Sequence, residues 1–120
     1  MKMQIGEMVD RYSILLLKSE RTGLDVTEER LEYEKYVLHD TYTDIKLWIE
    51  KLKVINGRIW DLESDIRRGK EDELGLEEVG RRALMIRNIN NERVACKNEI
   101  TTLYQEGFIE TKQDHASQNN

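Results

Sequence analysis

LEYEKYVLHDTYTDIKLWIEKLKVINGRIWDLESDI, residues 31–66, carries the pattern that decides the fold: Leu31, Leu38, Ile45, Leu52, Ile59 and Ile66 recur every seven residues. Trp48, Ile55 and Leu62 stand three residues after Ile45, Leu52 and Ile59, which makes a seam of the kind that packs knobs into holes. Nearer the start the companion places are held by Glu34 and Thr41, so the seam is looser there. Asn56-Gly57 is a turn signal, but the seven-residue register runs through it unchanged, and the pattern predicts one helix from about Val26 to Arg68. At 1.5 Å per residue such a helix is on the order of 60 Å long.

On the N-terminal side, Ile5, Met8, Val9, Tyr12, Leu15 and Leu16 recur at spacings of three and four and predict a helix over about Gly6–Arg21, closed by Gly23. Asp25 and Glu28 form a capping-box-like pair for the helix that follows. On the C-terminal side, Gly69 and Gly75 bracket a charged loop. A third helix is expected from about Leu76 to Gln105, with Ile86, Ile89, Cys96, Ile100 and Leu103 on one stripe and Gly107 closing it. The expected fold is all-α: a short N-terminal helix packed on a long antiparallel helical hairpin with a coiled-coil-like seam. Residues 1–110 form a single helical domain and 111–120 a disordered polar tail.

Composition agrees with this pattern. The chain of 120 residues has no proline, 36% charged residues and 38% apolar ones, as suits long helices with one buried stripe. A core of this size leaves apolar surface over, including a second stripe of Tyr33, Tyr36, Leu47 and Val54, and this predicts a homo-oligomeric bundle. The net charge of −5 argues against nucleic acid or an anionic membrane surface as the main partner. The longest apolar run near the start, Ile14 to Leu17, is far too short for a membrane span or a signal peptide. The single Cys96 suits a reducing compartment, so a cytoplasmic location is expected.

No motif for a catalytic nucleophile, a metal or a cofactor stands out; His39 and His115 are isolated, and no glycine-rich phosphate loop is present. One anomaly does. Arg93 falls on the buried stripe of the third helix, with Asn90 and Lys97 within a turn, while Glu7 and Asp10 share a face of the first helix. These groups predict a cluster that is either a structural ion-pair network or a site for a small anion. If the role is purely structural, Arg93→Met should preserve or improve stability without loss of function. Arg67, Arg68, Arg81, Arg82 and Arg87 predict a basic tip at the loop, diluted by interleaved acids. Glu28, Glu29 and Glu32 put carboxylates on one helical face in the manner of magnesium-dependent all-α nucleotide pyrophosphohydrolases. The Glu-x-x-Asp those enzymes place downstream occurs here only upstream, as Glu7 and Asp10.

The run IGEMVDRYSILLLKSER, Ile5 to Arg21, resembles the opening of a small uncharacterised family of all-helical proteins from bacteria and their phages. IWDLESDIR, Ile59 to Arg67, and NERVACKNEI, Asn91 to Ile100, resemble its later motifs in the same order. The resemblance implies a polar signature at Glu7, Asp10, Arg11, Lys18, Glu20, Trp60, Glu63, Asn91, Arg93 and Lys97. It also implies an accessory protein that binds a host protein or sequesters a small charged, nucleotide-like molecule. A structural coiled-coil adaptor is the remaining expectation.

Overall fold

The structure, a computed structural model, describes residues 3–69 and 71–109, with residue 71 and residues 105–109 described by backbone alone. The described residues are all-helical, with five helices packed together: α1 (Ile5–Thr22), α2 (Thr27–Val37), α3 (Ile45–Arg67), α4 (Glu71–Leu74) and α5 (Leu76–Ile109). Among the described residues no helix is long and apolar enough to cross a membrane. The tail expected at 111–120 lies outside the described residues.

α1 ends as its sequence predicts. Gly23 takes the left-handed conformation at φ 74°, and its N–H returns to the Ser19 carbonyl.

The long helix expected over 26–68 is instead two helices. Residues 38–44 leave the helical path, and Asp44 adopts a left-handed φ of 66°, a conformation that aspartate tolerates better than most residues. Two threonines and three polar residues in six positions favour local turns. The Thr41 N–H donates to His39 Nδ1, and the Tyr42 N–H donates to the His39 carbonyl. The bend lets α2 fold back along α1, where the Tyr12 hydroxyl donates to Glu34 at 2.7 Å and Val37 is fully buried. Burial and that hydrogen bond push the Tyr12 phenol up to about 12. Leu31 and Leu38, the first two members of the seven-residue series, are 50% and 41% exposed as a result. Ile45 and Leu52 are in the core.

α3 runs unbroken through Asn56-Gly57, and α5 continues past Gly107 to Ile109. Arg58 pairs with Glu92 and Arg82 with Asp65, so α3 and α5 are antiparallel. α1 lies across both. The core forms where Ile5, Val9 and Tyr12 meet Ile49, Leu52 and Ile55 from α3 and Ile89, Cys96 and Ile100 from α5. Burying a side chain such as Leu52, wholly out of water, contributes about 2 kcal/mol. Of the second apolar stripe, Tyr33 is half-buried, while Tyr36, Leu47 and Val54 are exposed.

Candidate functional site

The buried-charge cluster assembles where α1, α3 and α5 meet. Asp10 is wholly buried. Arg93 grips it with two parallel hydrogen bonds, Nε to Oδ1 at 2.9 Å and Nη2 to Oδ2 at 2.6 Å. From α3, Asn56 Nδ2 donates to Asp10 Oδ1 at 2.9 Å and to Ser13 Oγ at 3.1 Å, and Ser13 donates in turn to the Asp10 carbonyl at 2.7 Å. A buried carboxylate is tolerated when both oxygens are paired in this way. The hydrogen bonds to Asp10 hold the Arg93 guanidinium above its usual value, outweighing the opposing effect of burial.

One turn earlier, Glu7 is clamped between Lys97 Nζ at 2.6 Å and Arg11 Nε at 2.8 Å. Lys97, and then Arg11, hold the Glu7 carboxyl below its ordinary 4.5. A depressed carboxyl contributes stability that is fully present above its unfolded value and is lost as pH falls through its folded one. Acid titration followed by circular dichroism is therefore expected to weaken the protein progressively below about pH 4.5. Glu7→Gln should flatten that limb; an unchanged acid limb in the variant would show that Glu7 does not contribute to it.

Two clefts open on either side of this cluster, and Ile14 and Arg93 line both. One, of about 390 Å³, holds Glu7, Arg11, Lys18, Glu29 and Tyr33 between α1 and the start of α2. The other, of about 450 Å³, is a wedge lined by residues of α1, α3 and α5. Its apolar surfaces come from Ile14, Leu17, Ile59, Trp60 and Ile86, and its polar groups from Asn56, Glu63, Arg67, Asn90 and Arg93. Arg67 stacks over the Trp60 ring, 4.4 Å from its centroid, and lies 3.5 Å from Glu63.

The residues expected at a site are thus divided. Glu7, Asp10, Arg11, Lys18, Trp60, Glu63, Arg93 and Lys97 lie in the cluster or its two clefts, whereas Asn91 is exposed on the outer side of α5. The arginines of the basic tip are placed differently from one another. Arg67 belongs to the wedge, Arg81 and Arg82 both bind Glu78, and Arg68 and Arg87 are exposed. Arg81, and then Arg82, hold the Glu78 carboxyl down to about 2.

Asn56, read from sequence only as a turn signal, is a central member of the cluster. Its local sequence does not place it there; the Gly57 that follows it lies against Leu17 and Arg21 of α1. Glu28 and Glu29 are exposed, and among the described residues no group of three His, Cys, Asp or Glu side chains is placed to hold a metal ion. Compared with protein-family models, curated proteins and solved structures, the chain has no significant match.

Proposed function

We propose that this chain is a non-enzymatic helical binding module, assembled as a homo-oligomer, that holds a small anionic ligand with a flat ring in the wedge between α1 and α5. A nucleotide-like molecule has this chemistry. The observation that carries the reading is the state of Arg93. Three of its N–H groups are committed to Asp10 and Asn90, which fixes the guanidinium in place, and the two others of its five donors are left for an anion at the inner end of the wedge. Preorganised in this way, it binds without paying for its own ordering.

The rest of the wedge suits the remainder of such a ligand. Ile14, Leu17, Ile59 and Trp60 offer a flat apolar surface, Arg67 adds a second cation at the mouth, and Glu63 accepts from hydroxyl or amino groups. A volume of about 450 Å³ falls within the usual range for small-molecule sites. An accessory role that sequesters a charged metabolite, as the family resemblance implies, fits this chemistry and belongs to the same proposal.

Trp60 reports on the site directly. In a Trp48→Phe background it is the sole tryptophan. Titration with nucleoside mono-, di- and triphosphates should change its fluorescence saturably and raise the melting temperature, and Arg67→Ala should weaken the binding about tenfold. If neither signal responds to any of these nucleotides or to inorganic phosphate, the wedge is not an anion site.

A further inference from the structure

α1 and α3 cover two sides of α5. Lys97 and Thr101 meet α1 at Glu7 and Gly6, while Glu92 meets Arg58 of α3. The third side is bare. It presents Leu84, Asn88, Asn91, Ala95, Asn98 and Thr102, all exposed, at alternating steps of four and three. None of the six is charged, in a chain whose residues are 36% charged. Water-facing helix positions ordinarily hold Glu, Lys or Arg, which are also better helix formers than asparagine and threonine, so neither solvation nor helix propensity accounts for this face. Alternating steps of four and three are the spacing of a helix–helix seam.

The chemistry of the face is self-complementary. An amide both donates and accepts, so an asparagine can pair with its own copy across a two-fold axis, where a lysine or glutamate would repel itself. Apolar area is supplied by Leu84 at 54% exposure and, on the flanks, by Met85 and Val94. The charged flanks include Arg87 on one edge and, on the other, Glu99 and Glu92, the latter also paired with Arg58 of its own chain; Arg87 and Glu92 are five residues apart, the separation at which edge charges meet between parallel in-register helices.

We propose that α5 pairs, parallel and in register, with α5 of a second copy of this chain along Leu84, Asn88, Asn91, Ala95, Asn98 and Thr102, with Arg87 of each copy facing Glu92 of the other. The seam is roughly 27 Å long. This pairing specifies the assembly named in the proposed function and leaves the wedge untouched, since Arg93 lies about half a turn around the helix from the seam.

Sedimentation equilibrium on the full chain tests it. The protein should dimerise with rising concentration, and Ala95→Glu should weaken the dimer by about a hundredfold while helical circular dichroism stays unchanged. Arg87→Glu and Glu92→Arg should each weaken self-association about tenfold. Mixed together, the two variants should form a heterodimer, seen by native mass spectrometry, because both facing pairs are then of opposite charge. A protein that stays monomeric to about 100 μM, a dimer indifferent to Ala95→Glu, or the absence of the heterodimer overturns the proposal. The Trp60 titration of the Ala95→Glu monomer tests the wedge separately, so failure of one does not imply failure of the other.

Discussion

Replacing Arg93 by methionine is expected to destabilise the fold by about 3 kcal/mol, a large share of the 5–15 kcal/mol typical of a single domain. Asp10 is wholly buried and receives two of its hydrogen bonds from Arg93, so the variant leaves a carboxylate in the core with Asn56 as its remaining hydrogen-bond donor and Lys97 3.9 Å away. The low end of the usual range applies because the arginine side chain is itself 27% exposed. The expectation that a purely structural Arg93 could be exchanged for methionine without loss fails on this geometry, because the arginine is one half of a pair. Exchanging both halves is the informative comparison. Asp10→Leu with Arg93→Met should recover most of the loss, since a buried ion pair and a well-packed apolar pair are often of similar stability. Urea denaturation of the two variants would decide it. If the single variant lies within about 1 kcal/mol of the parent protein, the pair does not hold the three helices together.

Gly6→Ala should be at least as damaging. A Cβ built at this position lies 2.0 Å from the Lys97 carbonyl oxygen and 2.5 Å from Thr101 Oγ1, and the nearer of these is backbone and cannot swing aside. The Gly6 N–H also donates to Thr101 Oγ1 at 3.0 Å, so moving α1 outward to admit the methyl breaks that bond as well. Overpacking usually costs 1–3 kcal/mol, and a clash with backbone should reach about 3 kcal/mol or more. Gly80 provides the control. It also lies within a helix but has nothing within 4 Å of its own built Cβ. There the same change should stabilise by about 0.5–1 kcal/mol through helix propensity alone. Thermal melts of both variants should move in opposite directions. A Gly6→Ala protein that melts with or above the parent would show that α1 and α5 do not approach this closely.

The span of α1 with its glycine cap, the start of α5 and the placement of Arg93 on a buried stripe could be read from residue spacing, because each is written within a few turns of one helix; the short α4, inside the loop expected between Gly69 and Gly75, could not. The bend between α2 and α3 could not. Leu31, Leu38 and Ile45 keep their seven-residue spacing whether or not residues 38–44 are helical, so the register is silent about a turn that fits within one repeat. The Glu34 and Thr41 companions were the available warning, and Glu34 in fact turns to Tyr12. The place of Asn56 in the cluster and the tight contact at Gly6 depend on which helix arrives opposite them. No local pattern encodes that.

The bond between Gly6 and Thr101 spans 95 positions of the chain. At translation rates of about 5–20 residues per second, the first helix waits roughly 5–20 s between its own synthesis and the arrival of its last docking partner. Throughout that interval Ile5, Val9 and Tyr12 have no completed core to enter. α1 is thus made well before the helix it docks on and is among the last elements to be sheltered, so the fold closes only after almost all of its helical residues exist.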